Sequence, residues 1–311
     1  MLKKSMLLAA AATLLIAGCD GGSNLPLEAD VTLYVTDGLA LYTIQGNEGL
    51  QADQKLLSGL DSGTLLYAID VNPRTGVLNG IGSNGQSYQI DPATGVLTKA
   101  AGRETTNTLA NKAVEIDYNP TVPSQNVYRV TTSTGENFRL NDTTGSKATG
   151  TGPNGNDFQF FYKTGDVNAG QSVVISGIAY TDSHPNAGVP PSTTVYAIDT
   201  NPAGSSVLTR LGGLDPNGAD RAAACPNATN PNCGQLTTIG PVGVKLGGFV
   251  GFDILSTGVS GAKATSNIGY VTARSENLYR LYTIDLTTGK LSFIKALSPT
   301  IDPVRSLAVK P

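Results

Sequence analysis

The chain has 311 residues, with 21 Lys and Arg against 24 Asp and Glu, for a net charge of −3. Charged residues are only 14% of the total while Gly numbers 37, which argues against both a disordered acidic chain and a helical one. The acidic balance argues against nucleic acid as a partner and against attraction to anionic membrane surfaces.

The N-terminus reads as a processing segment. Lys3 and Lys4 give a positive start, and residues 6–16 form an apolar run too short to cross a bilayer as a mature helix. The run ends in residues 15–19 (LIAGC), which resemble the lipobox of bacterial lipoproteins and mark Cys19 as the lipidated residue. Residues 1–18 are thus expected to be a lipoprotein signal peptide, and residues 19–29 a lipidated Cys with a Gly-rich tether. Two or more acyl chains on one residue would anchor the protein stably in the bacterial cell envelope, on the periplasmic side of a membrane or at the cell surface.

From residue 30 onward one short pattern recurs: a strand ending in Asp or Asn, then a Thr-Gly or Gly turn. It stands at residues 88–95 (YQIDPATG), 138–145 (FRLNDTTG) and 282–289 (YTIDLTTG), fainter at 42–49 (YTIQGNEG), and degenerate at 230–234 (NPNCG). A fixed turn at a rough period means one supersecondary unit copied several times. In each turn the acidic or amide side chain caps free N–H groups, and Gly takes the positive-φ position.

Between the turns, period-2 alternation predicts four strands per unit. In the second unit they are residues 65–71, 77–82, 87–91 and 96–100; the third begins at 114–118 (VEIDY), 127–132 and 137–141. The fourth unit is predicted at 173–180, 194–199, 206–211 and 235–239, and the fifth at 249–255, 268–273, 279–285 and 290–296. The first unit lacks its first strand, and the tail at 306–311 (SLAVKP) aligns with 68–73 (AIDVNP). The tail therefore supplies the strand missing at the head, as a β-propeller does when it closes its ring and removes open edges. The reading is an all-β propeller of five four-stranded blades over residues 30–311. An open solenoid or a sandwich would explain the repeats but not the complementary ends.

With Cys19 lipidated, Cys225 and Cys233 remain, flanking a turn-rich segment (PNATNPN). In an oxidising compartment they are most simply a local disulfide, in preference to free thiols or a metal site.

Several motifs stand in order along the chain: IDVNPRTG at 69–76, DYNP at 117–120, TGENFRLN at 134–141, GDVNAG at 165–170, AYT at 179–181, TTIGPVG at 237–243 and GFDI at 251–254. Together they resemble an uncharacterised bacterial secreted and lipoprotein family, domain-of-unknown-function family 4394. The resemblance implies a propeller-like repeat fold over roughly residues 30–311 and no established activity, so it carries over no catalytic residue.

Candidate site residues follow from the repeat. Asp70, Asp117 and Asp253 occupy matching places on the first strands of three blades, with Thr181 or a neighbour, and Ala308, in the other two. First strands line a propeller's channel, so one reading is a broken carboxylate ring holding a hydrated Ca²⁺ or Mg²⁺. The preferred reading is local, each Asp bonding the next turn or the neighbouring blade. Asp166 and Asn168 superficially resemble the start of a Ca²⁺ loop, but the twelfth position is Gly177 where a bidentate Glu is required. Residues 154–172 would be the longest loop on one channel mouth, with residues 158–162 (FQFFY) either packing beneath it or offering an apolar platform. The single His184 has no triad partner in view, and no nucleophile elbow, P-loop or dinucleotide fingerprint is present. The expectation is a lipid-anchored envelope propeller that binds an unidentified envelope protein or glycan, without a catalytic residue or a required cofactor. The competing expectation is a carboxylate- or divalent-metal-dependent hydrolase or lyase at the channel mouth, using Asp117, Asp166 or Asp253.

Overall fold

Every sheet in the computed structural model is small and antiparallel in its main run, as the turn spacing requires. The structure describes residues 30–46, 52–107, 109–122, 126–150, 152–185, 188–202, 204–212 and 230–311. Blade 1 begins with β1 (Thr32–Thr36), β2 (Ala40–Gln45) and β3 (Ala52–Leu56). Blade 2 is β4 (Leu66–Val71), β5 (Leu78–Gly82), β6 (Gln86–Ile90) and β7 (Leu97–Arg103). Blade 3 is β8 (Val114–Tyr118), β9 (Val127–Thr132), β10 (Asn137–Asn141) and the short β11 (Lys147–Ala148).

Blade 4 has one strand more than predicted. The segment before it contributes β12 (Phe161–Tyr162), and then come β13 (Ile175–Tyr180), β14 (Val195–Asp199), β15 (Val207–Leu211) and β16 (Gln235–Pro241). β12 pairs parallel to β16 and extends the outer edge. Blade 5 is β17 (Gly247–Ser260), β18 (Lys263–Ser275), β19 (Leu278–Ile284) and β20 (Leu291–Ala296).

The last strand, β21 (Ser306–Lys310), returns to blade 1. It pairs antiparallel with β1 through Thr32↔Lys310, Leu33↔Val309, Tyr34↔Ala308, Val35↔Leu307 and Thr36↔Ser306. The innermost strands then pack in a closed cycle, β21 on β4, β4 on β8, β8 on β13, β13 on β17, and β17 back on β21. The core lies between blades. One cluster joins Val31, Leu33 and Val309 to Leu281 and Ile294, and another joins Tyr67 and Ile81 to Ile116, Val130 and Phe138.

The repeated turn shows why its Gly is needed. In residues 91–95 the Ala93 N–H donates to Asp91 Oδ1 at 2.9 Å and the Gly95 N–H to the Asp91 carbonyl at 2.8 Å. The Asn141 and Asp285 turns repeat the pattern, with Gly145 and Gly289 at φ +65° and +81°. A Cβ on Gly145 would stand 2.3 Å from the Gly102 carbonyl oxygen on β7, so the same Gly also lets one blade seat on the last.

One element is longer than its pattern. Residues 256–267 (STGVSGAKATSN) show no apolar alternation, yet the β17–β18 ladder continues through Thr257↔Ser266 to Ser260↔Lys263. Backbone pairing and one buried carboxylate hold it. Asp182, at φ +64°, accepts the Ala264 N–H at 3.0 Å, and the Asp182 N–H donates to Asn267 Oδ1 at 3.2 Å.

Candidate functional site

Three innermost strands each carry an Asp at the same height, and the ring brings the three together. One carboxylate oxygen from each of Asp70, Asp117 and Asp253 lies within 4.8 Å of the others, and all three residues are buried. In the other two blades the matching places are Ala179 on β13 and Ala308 on β21, both fully buried. Thr181 sits two residues further along.

Each carboxylate also ties its blade to the next one round. The Tyr118 N–H of blade 3 donates to Asp70 Oδ2 at 2.8 Å, and the Val309 N–H of blade 1 donates to Asp253 Oδ2 at 2.6 Å. The Tyr180 N–H of blade 4 plays this part for Asp117. The second oxygens of Asp70 and Asp253 accept the N–H of Val71 at 2.7 Å and of Ile254 at 2.6 Å. The carboxylates are therefore fixed by backbone before any ligand arrives. The local use and the convergence coexist, because a carboxylate oxygen that accepts one N–H keeps a second lone pair.

Charge is costly in this place. Burial pushes the Asp253 carboxyl up to about 6, against the Val309 and Ile254 N–H groups that pull it down. Burial, and then the charge of Asp253, drives Asp70 well above the usual carboxylate range. Asp117 moves the same way through burial and then the charges of Asp70 and Asp253, and it shares a hydrogen bond with Asp253. No basic side chain acts on Asp70 or Asp253. A buried carboxylate without a cation takes up a proton instead.

One layer beneath, Glu115 stands two residues before Asp117 and so points to the same face of β8. It is 1% exposed and accepts a hydrogen bond from Ser306 Oγ through Oε1, while Oε2 has no partner. Burial raises its carboxyl well above the usual range, and the charges of Asp253 and Asp70 add to the effect. On the other side, the triad lines a cavity with Ser183, Leu255 and Pro311, whose volume to the centre of a water-sized sphere is about 10 Å³. That is room for one water or one monatomic ion. Ser183 Oγ, on this wall, is buried without a partner.

The other expected site residues stand elsewhere. Asp166 accepts the Thr238 N–H at 2.7 Å and the Thr238 hydroxyl at 2.6 Å, and Asn168 Nδ2 donates to the same hydroxyl at 2.9 Å. Both therefore fasten a loop to β16, the fourth strand of blade 4 counted from the axis, and neither joins the triad. The aromatic segment packs: Phe160 and Tyr162 belong to the blade 4 core, and the Tyr162 hydroxyl donates to Asp199 Oδ2 at 2.6 Å. Cys19 and Cys225 lie outside the described residues. Cys233 is buried at the end of the 3₁₀ turn Pro231–Cys233, whose Asn230 cap accepts the Asn232 N–H.

A second polar centre was not foreseen. Arg129 on β9 is 1% exposed. It donates through Nε to the Tyr180 hydroxyl at 2.8 Å and through Nη1 to Asp157 Oδ2 at 3.0 Å, and it also meets Asn137 and Asn232. Arg139 adds a bidentate pair to Asp157, both contacts at 2.9 Å. This cluster clamps the connection between blades 3 and 4.

Comparison with known proteins gives a family and no activity. A family model described as "Domain of unknown function (DUF4394)" matches residues 40–308. No curated protein matches the chain. Among solved structures, the computationally designed Ika4 protein is similar at 11% identity and a TM-score of 0.30, covering 75% of this chain and 99% of that one. The designed Ika8 protein is similar at 11% identity and a TM-score of 0.33, covering 85% and 71%.

Proposed function

The chain belongs to the family described as Domain of unknown function (DUF4394), and from that premise we propose that it is a lipid-anchored binding propeller of the bacterial cell envelope. Its binding face is the one onto which the Asp70–Asp117–Asp253 cavity opens. The observation that carries this reading is the convergence of three blades on one axial carboxylate site, beside a hairpin that outruns its blade. Propellers bind where loops and channel meet on a rigid frame.

The anchor supports the same orientation. Asp30 lines a groove with Val31, Leu255, Ile268, Lys310 and Pro311, and Leu255 and Pro311 also border the axial cavity. A lipid on Cys19 is eleven residues from Asp30, a reach of at most about 40 Å. The face would then look toward a membrane-borne partner, an envelope protein or a glycan. A Cys225–Cys233 disulfide is part of this reading, as the compartment favours one.

A hydrolase or lyase at this site fits less well. The axial cavity holds a single water-sized body, which leaves no room for a scissile bond between the carboxylates. Asp166 is away from them. The test of the anchor is fractionation: wild-type protein should sediment with membranes, and Cys19→Ser protein should be found in the soluble fraction. Retention of the Cys19→Ser chain on membranes would contradict the anchor.

A further inference from the structure

We propose that Asp70, Asp117 and Asp253 hold one Ca²⁺ ion on the propeller axis, with the Glu115 carboxylate supporting it from the layer beneath. The proposal rests on reading this face as the binding face, and it names the ion held there.

Four observations carry it. The donor set is oxygen only, with no His or Cys, which suits a hard cation. The cavity beside them has room for one water-sized body, so an ion bound there gives up most of its water, which Ca²⁺ tolerates and Mg²⁺ resists. The Asp70 and Asp253 carboxylates are held in place by N–H groups of their own strands and of the next blade, so little side-chain freedom is lost on binding.

The independent sign of a ligand lies outside the triad. Glu115 is 1% exposed, and its Oε2 is left without a partner although a buried polar atom normally finds one. It shares a face of β8 with Asp117, two residues along the same innermost strand. Ser183 Oγ is a second unpartnered oxygen on the opposite wall. A divalent cation between the two layers answers both the concentration of negative charge and the missing partner. Hydrophobic packing or a structural proton-sharing pair leaves Glu115 Oε2 unexplained.

The ion would also explain why the triad spans three blades. It cross-links β4, β8 and β17, strands that share no backbone ladder. Stability should therefore depend on it by mass action.

The test is a Ca²⁺ titration of the full chain, purified in detergent and freed of divalent ions with EDTA, at pH 7. Calorimetry should show one Ca²⁺ per chain, and Ca²⁺ at a hundred times its Kd should raise Tm by about 5 °C or more. Asp117→Asn should abolish the binding heat and the shift, and Glu115→Gln should weaken binding about tenfold. A folded wild-type chain that gives neither heat nor Tm shift with Ca²⁺ overturns the proposal, as does a chain that responds to Mg²⁺ and not to Ca²⁺. The wild-type result stands whether or not a variant folds. A negative titration on a chain that still sediments with membranes removes the ion and leaves the envelope reading. A positive one on a chain that does not sediment keeps the ion and strikes the anchor.

Discussion

Removal of residues 306–311 is expected to leave no cooperatively folded protein. These residues form the innermost strand of blade 1, and all five of its pairs are with β1. Leu307, Ala308 and Val309 are at most 3% exposed. Burying Leu and Val side chains contributes about 1.5–3 kcal/mol each. The deletion also takes the N–H that Asp253 accepts and the hydroxyl that Glu115 accepts. Two innermost strands, β4 and β17, would lose the neighbour between them. Against a total stability of about 5–15 kcal/mol, the combined loss leaves little. The milder Leu307→Ala should cost about 2–5 kcal/mol in denaturant unfolding. A truncated chain with native circular dichroism and an unchanged unfolding midpoint would contradict the closed ring.

The second large effect is expected at Asp157. Its carboxylate is 1% exposed and is the only anion that Arg129 meets among the described residues. Asp157→Ala strands the Arg129 guanidinium, itself 1% exposed, among the neutral groups of Tyr180, Asn137 and Asn232. Removing one partner of such a pair costs about 3–5 kcal/mol, because the remaining charge is buried without compensation. Arg139, 23% exposed at its side chain, can turn to water and will contribute less. Arg129→Met should be better tolerated than Asp157→Ala, since the carboxylate it leaves behind keeps its bidentate pair with Arg139. Urea unfolding of the two variants decides the order, and equal costs would show that the pair's charges are not what the clamp depends on.

Much of this architecture is written locally and so is legible in the chain. The turn at residues 91–95 needs only an Asp or Asn and a Gly four residues later, and it recurs at 141–145 and 285–289 with the same bonds. The tail is legible because SLAVKP carries the alternation of an inner strand and no blade elsewhere lacks one. Asp70 and Asp117 could be aligned because each stands two residues before an Asn-Pro turn, and Asp253 because it lies on the first strand of its own blade. Their partners could not be read, because the N–H that each accepts belongs to the next blade. Glu115 had a signal: in VEIDY it shares a strand face with Asp117, and a buried face with two acids is unusual.

The rest fails for physical reasons. Residues 256–267 form strand without an apolar face, because they rise beyond the core and are paired mainly through backbone. β12 is two residues long and borrows its register from β16. Arg129 sits mid-strand among apolar neighbours, and only the loop bearing Asp157 explains how its charge is met. In blade 4 the axial position is Ala179, two residues before Thr181, because Tyr180 and not a later residue supplies the N–H to Asp117.

The most direct measurement is a cross-link between head and tail. Thr32 and Lys310 face each other across β1 and β21, so a Thr32→Cys/Lys310→Cys chain should form a disulfide on mild oxidation and yield one bridged peptide by mass spectrometry. Everything proposed for the axis requires that bridge to be reachable. Two freely alkylated cysteines at these positions in a folded chain would mean that the ring is open and that the three carboxylates do not meet.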